Sequence, residues 1–314
     1  MKKKTEYYKK GRSRMKRHLT KGQKTLLLMT IPSILFILVF AYFPISGWIY
    51  SFFDYRIGYS LSKCEFVGLD NFIYAFGDPY ILTVILNTLI ISLAGLLGLP
   101  LAGMIAILLS EVRSKRFRKT VQTAITIPNF ISWIIIYSIM FSLFSNDGLI
   151  TTVFRNLTGD TESTTTLLTN PGTAKLFMVL TNIWKTVGYN SIIFFAAITG
   201  IDSQLYDAAA VDGAGRWKKI LHITIPGMLP TLVTLLIISV GAILNNGFEQ
   251  YYVFVNPMIQ EKIEVLDYYV YRIGMLNNDI PASTAVSMVK TFISVILVFS
   301  VNKLSKKTLG QSIL

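Results

Sequence analysis

The sequence predicts an all-α integral membrane protein with six transmembrane helices, and three observations carry that reading. The chain of 314 residues is 52% hydrophobic and only 15% charged, with a mean hydropathy of +0.53, well above an ordinary soluble domain. Six apolar stretches, near residues 26–52, 82–109, 121–144, 176–200, 228–248 and 284–301, are long enough to cross a hydrocarbon core of about 30 Å at about 1.5 Å per helical residue. Basic residues, finally, are concentrated in every second loop. No 20-to-50-residue repeat and no low-complexity linker interrupts the chain. It reads as a basic segment (1–24), one membrane domain (25–302) and a short tail (303–314).

Charge orients the spans. Residues 1–24 carry eleven Lys or Arg against one acid, Glu6. The loop at 110–120 holds Arg113, Lys115, Arg116, Arg118 and Lys119, the loop after the fourth span Arg216, Lys218 and Lys219, and the tail Lys303, Lys306 and Lys307. That places 22 of 30 basic residues on one side, while the opposite loops carry two each and twelve of the 17 acids. By the positive-inside rule both termini are expected in the cytosol. The net charge of +13 then serves topology and contact with anionic headgroups rather than nucleic-acid binding. The apolar run after Thr25 is too long for a signal-peptide core and lacks a small-residue cleavage site, so it is expected to be retained.

Within the membrane, packing comes first. Ala94, Gly98, Ala102 and Ala106 recur every fourth residue and predict a seam where another helix can lie close. Pro32, Pro44, Pro100 and Pro128 predict kinks. Polar residues at membrane depth are costly: the fourth span holds Asn182, Trp184, Lys185, Thr186, Tyr189, Asn190 and Ser191, and the fifth Ser239, Asn245 and Asn246, followed by Glu249. A lysine there costs about 3 kcal/mol on insertion scales, so Lys185 is expected to face a partner or a wet cavity. Amides, hydroxyls and aromatic rings suit sugar recognition, and they also suit interhelical hydrogen bonding.

The loop 202–228 is the most telling segment. Asp202 or Ser203 can cap a helix through Val211, which Gly213 and Gly215 then break. Ala208, Ala209 and Ala210 leave its surface almost bare, so another protein's backbone can approach; Tyr206, Ala210 and Gly213 share a face, with Trp217 beyond the break. Asp207-Ala208-Ala209, Gly213, Ile223, Ile225 and Pro226 resemble the coupling motif of binding-protein-dependent ABC importer permeases, E-A-A-x-x-x-G-x(9)-I-x-L-P. Asp212-Gly213-Ala214 matches the extended form of sugar permeases. Asp207 stands where Glu is usual and Ile225 where Leu is usual.

That resemblance implies the six-transmembrane-helix type I ABC importer permease fold with a cytosolic coupling helix, in a bacterial cytoplasmic membrane. It also implies that the acid at 207 meets a basic residue of an ATPase. Family spacing from Asp207 lands on Thr186, Tyr189, Ser239 and Asn246 as sugar-site residues; Trp184, Lys185, Asn190, Asn245 and Glu249 are candidates on chemistry alone. Tyr42-Phe43-Pro44, Val67 to Phe72, Gly200-Ile201-Asp202 and Gly247-Phe248-Glu249-Gln250 resemble the branch that imports oligosaccharides derived from complex polysaccharides. The implied partners are a second homologous permease, two copies of a cytosolic ABC ATPase, and an extracellular solute-binding lipoprotein docking near 145–175 and 247–283.

Other classes fare worse. No Walker A pattern is present, so ATP and Mg are expected on the partner ATPase and no cofactor in this chain. With Cys64 alone and only His18 and His222, a cysteine or zinc metal site is not expected. A membrane-embedded enzyme would need convergent acids or ligands, and an ion-coupled carrier would need intramembrane carboxylates and an internal repeat. An ABC permease for amino acids or polyamines is the alternative that differs only in cargo.

Overall fold

A computed structural model describes residues 20–158 and 166–309. His18, most of the basic segment 1–24, residues 159–165 of an expected docking loop and the end of the tail lie outside the described residues. The chain divides into two units, Met1–Ile49 and Tyr50–Leu314. In the first, helix α1 (Lys21–Ile37) passes through Pro32, then changes to a π-turn at Leu38–Tyr42 and to a 3-10 helix from Phe43. Nearly every side chain described in this unit is exposed.

The second unit is helical throughout, with one antiparallel bridge, Phe53 to Phe66, among the described residues. Its helices are α2 (Asp70–Gly77), α3 (Pro79–Gly95), α4 (Gly98–Glu111), α5 (Lys115–Phe130), α6 (Trp133–Phe144), α7 (Leu149–Thr158), α8 (Ala174–Thr199), α9 (Ser203–Val211), α10 (Arg216–Lys219), α11 (Ile225–Gly241), α12 (Phe248–Phe254), α13 (Gln260–Ile263), α14 (Leu266–Tyr271) and α15 (Ile280–Leu309). Prolines set several interruptions. A proline ring crowds the carbonyl four residues earlier. The second span accordingly parts into α3 and α4 at Leu96–Leu97, where Leu96 is four residues before Pro100. His222, four before Pro226, sits in the π-turn Ile220–Thr224, and Phe40, four before Pro44, in the π-turn of the first span. Pro128 instead lies inside α5, which ends two residues later.

Helix α8 is the hub. It packs on α4, α5, α3 and α11, and its 26 residues span about 39 Å at about 1.5 Å per residue. The small-residue seam does what its spacing predicts: Ala102 and Ala106 are wholly buried against Phe194, Ile198 and Met228, and Gly98 faces Ile183 of α8. Gly188 admits the backbone of α5 so closely that a Cβ would collide with the Ile125 carbonyl.

Five described stretches are long and apolar enough to cross a membrane: Thr25–Phe52, Pro79–Glu111, Trp133–Leu157, Arg216–Gly241 and Ile280–Lys307. Two expectations change. The third apolar stretch begins at Trp133 rather than at 121, because α5 is amphipathic, starting Lys-Arg-Phe-Arg-Lys, and a break at Ile131–Ser132 separates it from α6. The expected fourth span is α8, long enough but not apolar enough to join the five, because Asn182, Lys185, Tyr189 and Asn190 interrupt its apolar run.

Candidate functional site

The loop 202–228 folds as its residues dictate. The Asp202 carboxylate accepts the N–H of Gln204 at 2.9 Å and starts α9. At the other end the N–H of Ala214 donates to Ala209 (2.8 Å) and that of Gly213 to Ala210 (3.1 Å), the paired closure of a Schellman motif. Gly213 takes φ +72 to allow it. No residue of α9 is buried. Asp207, Ala208, Ala210, Asp212, Gly213 and Pro226 are exposed and Ala209, Ala214 and Tyr206 half-buried, while Val211 and Trp217 are 89% and 76% exposed. Two bonds seat this arm: the Tyr206 hydroxyl meets Thr224 Oγ1 at 3.0 Å, and Arg216 pairs with Glu111 at the end of α4.

Away from that arm, α3, α4, α8, α11, the break after α11 and α12 line an open cavity of about 290 Å³. Its polar wall comprises Ser92, Asn182, Thr186, Asn190, Ser239, Asn245, Asn246 and Tyr251, with no charged side chain. Irregular backbone at membrane depth is tolerated where it lines a cavity and is held by protein, and residues 242–247 meet both conditions. Ser92 Oγ donates to the Ile243 carbonyl (2.5 Å) and accepts from Asn246 Nδ2 (2.8 Å). Among the described residues, none hydrogen-bonds the side chains of Asn190, Ser239 or Asn245, so the donors and acceptors of these three stay uncommitted on the cavity wall.

The family described as "Binding-protein-dependent transport system inner membrane component" matches residues 98–309, which include the coupling arm and most of the cavity wall. The chain belongs to this family. As an inner membrane component of such a transport system it is a permease, not an enzyme, and it works with a solute-binding protein. It is 37% identical over 289 residues to "Protein LplB" of Bacillus subtilis (strain 168), covering 91% of this chain and 90% of that protein. It is 38% identical over 287 residues to the same organism's "Polygalacturonan/rhamnogalacturonan transport system permease protein YteP", covering 91% and 88%. A chain in the crystal structure of a bacterial ABC transporter involved in the import of the acidic polysaccharide alginate superposes with a TM-score of 0.82 at 31% identity, over 92% of this chain and 97% of that one.

The permease geometry sorts the candidate residues. Thr186, Asn190, Ser239, Asn245 and Asn246 stand together on the cavity wall; Trp184, Lys185, Tyr189 and Glu249 do not. Trp184 and Tyr189 are 41% and 46% exposed on other sides of α8, and Glu249 is exposed on α12. Lys185 is buried and has its own partners. Its ammonium donates to the carbonyls of Pro128 (3.2 Å), Asn129 (3.1 Å) and Ile131, the open end of α5, and lies 5.2 Å from the centre of the Trp133 ring. A cation at a helix C-terminus is where the helix dipole favours it, so the cost of a membrane lysine is met by the broken helix, and Lys185 is committed there rather than on the cavity wall.

Three wall residues escaped selection. Asn182 precedes Thr186 and Asn190 by one and two turns, a stripe the spacing could have revealed. Ser92 lies one turn after Thr88 in an otherwise apolar run, a similar signal. Tyr251 carried a weaker one, an aromatic hydroxyl in the polar run 249–252 that follows the fifth span. Nearby, α12 is pinned to α8 by Gln250, which donates to the Met178 carbonyl (2.9 Å) and accepts from Asn182 (3.2 Å). On the loops beyond, burial raises the Tyr268 and Tyr269 phenols above their ordinary value, and Glu264 beside the first and Asp78 beside the second add to it. Both stay neutral donors at any physiological pH.

Proposed function

We propose that this chain is one of two permease subunits of an ATP-driven oligosaccharide importer, working by alternating access. The observation that carries the reading is a neutral cavity with three uncommitted amide and hydroxyl side chains, Asn190, Ser239 and Asn245, in the same subunit as an exposed, rigidly capped α9. Sugars offer hydroxyls that such groups bind in both directions. The wall holds no carboxylate for an amine, which disfavours a polyamine cargo. The name of one similar permease, of a polygalacturonan/rhamnogalacturonan transport system, and a structural neighbour involved in the import of alginate support polysaccharide fragments as cargo. One such neighbour was crystallised in complex with an alginate pentasaccharide-bound periplasmic protein, which supports docking of a cargo-loaded binding protein here.

In this reading α9 sits in a cleft of one of two ATPase copies that bind ATP and Mg, with Asp207 as charged anchor and Ala208 to Ala210 as the close-packed face. ATP closes the ATPases, α9 moves with its cleft, and Tyr206–Thr224 and Arg216–Glu111 transmit the motion to α11 and α4; hydrolysis reverses it. Both termini are cytosolic.

The test is affinity purification of the tagged chain from its native membrane, then reconstitution with whatever co-purifies. Recovery of a second permease, an ATPase and a binding lipoprotein, with ATP-dependent uptake of pectin- or alginate-derived oligosaccharides, is expected. A reconstituted complex that takes up amino acids and no oligosaccharide would overturn the cargo. Cys64 should react with an impermeant maleimide from outside intact cells; reaction only in inverted vesicles would reverse the topology.

A further inference from the structure

A second lysine in the middle of a long helix is Lys290, in the α15 stretch that is apolar enough to cross the membrane. Like Lys185, it is committed. Its ammonium pairs with the Asp267 carboxylate of α14, and both side chains are largely buried, 13% and 18% exposed. The other Asp267 oxygen accepts the backbone N–H of Gly247 at 3.2 Å. Gly247 has φ +81 and closes the break that follows α11. It directly follows Asn245 and Asn246 on the cavity wall.

Helix α14 is a firm base for such a contact. Leu266 N–H donates to Thr88 Oγ1 (2.9 Å), and Asn87 Nδ2 reaches the carbonyls of Glu261 (2.9 Å) and Glu264 (3.1 Å). The same helix α3 that anchors α14 also supplies Ser92, which holds the other end of the break at Ile243 and Asn246. The segment carrying the two wall amides is therefore suspended between two fixed points, Ser92 and Asp267.

We propose that Asp267, oriented by Lys290, is a positioning residue for cargo recognition: it fixes the Gly247 N–H and thereby the direction in which Asn245 and Asn246 face the cavity. The proposal rests on the cavity being the cargo site. A buried ion pair is by itself weak evidence for stability; its use here is that Lys290 occupies one carboxylate oxygen and leaves the other aimed at the backbone. What matters for cargo is then the acceptor at 267 rather than the charge.

Three paired variants separate those roles in the assembled importer. Asp267→Asn with Lys290→Gln removes both charges and keeps an acceptor. Asp267→Leu with Lys290→Met removes both. Asp267→Lys with Lys290→Asp keeps an ion pair and removes the acceptor. The probe is a labelled pool of galacturonan and alginate oligosaccharides, read as KM and kcat for uptake beside cargo-free ATPase activity. The Asn/Gln pair is expected to keep its KM within about twofold, while either acceptor-free pair raises KM roughly tenfold, a loss of about 1.4 kcal/mol, with kcat and ATPase activity little changed.

Equal KM values across the pairs would overturn the proposal. So would failure of the Asn/Gln pair to assemble, or assembly of that pair alone, since either assigns Asp267 and Lys290 to folding. If the unaltered importer takes up none of the pool, the cargo reading fails separately. The positioning role is then read from the rate at which a methanethiosulfonate reagent labels Asn245→Cys in a Cys64→Ser background. An unchanged rate in the acceptor-free pairs sinks it.

Discussion

The coupling arm and the cavity are built on opposite principles within one subunit. Helix α9 has no buried residue, and its ends are set by bonds that reach at most five residues along the chain, from Asp202 to Gln204 and from Ala214 to Ala209. The cavity wall is assembled from five helices and a break, and its bonds join residues as far as 154 apart. A change in α9 therefore acts where it is made. A change around the cavity propagates through the partners of the altered side chain, unless that side chain has none.

The largest effect is expected where the local element meets another protein. Asp207→Lys should reduce uptake roughly 100-fold or more, because placing like charges across an interface costs several kcal/mol. Since Asp207 is exposed and its side chain bonds to no other described residue, the membrane level of the protein should not change. Normal ATP-driven uptake in this variant would remove the charged anchor from the mechanism.

Next comes the interior counterpart, Lys185→Met. The variant loses three charge-assisted bonds of about 1.5 kcal/mol each and regains about 3 kcal/mol of insertion cost, leaving a deficit near that of a tenfold change. It should lower the thermal stability of the purified complex and weaken transport together, since the α5 end and the α5–α6 break lose their cap. A variant with unaltered stability but altered cargo affinity would instead place Lys185 in the cavity.

These two lysine and aspartate sites also explain how much could be read in advance. The α9 cap, the glycine turn at 213 and the small-residue seam follow from neighbours in sequence, and local rules gave them their places. Five wall residues were likewise legible, Thr186, Ser239 and Asn246 from the family spacing counted from Asp207, and Asn190 and Asn245 from their chemistry. The destination of Lys185 was not, since the three carbonyls it caps belong to a helix end more than 50 residues earlier, created by a break that hydropathy does not register. Lys290 and Asp267 were equally hidden: each looks like an isolated charge until α14 and α15 pack together. The protein-lined nature of α8 also explains why its apolarity understates its central place.

The cavity comparison sharpens with side chains that differ only in commitment. Asn190→Ala and Asn245→Ala should each raise the KM for oligosaccharide roughly fivefold, the loss of about 1 kcal/mol for one hydrogen bond, without altering stability. Asn246→Ala should do both, because it also releases Ser92. If all three variants behaved alike in a thermal unfolding assay, the distinction between committed and uncommitted amides would fail.

The smallest effect tests whether α9 is as local as its geometry says. Nothing lies within 4 Å of a Cβ built at Gly213, so Gly213→Ala meets no steric obstacle. Its cost is conformational alone: about 1–2 kcal/mol for a left-handed L-residue, offset by about 0.5 kcal/mol or more from the stiffer unfolded chain. The remaining deficit should weaken association with the ATPase roughly threefold, with no effect on cargo KM. Asparagine tolerates the left-handed region better than alanine does, so Gly213→Asn should recover most of that loss. An identical defect in both variants would mean that bulk at 213, not backbone conformation, disturbs the docked helix, and that the turn is part of the contact surface rather than only its terminator.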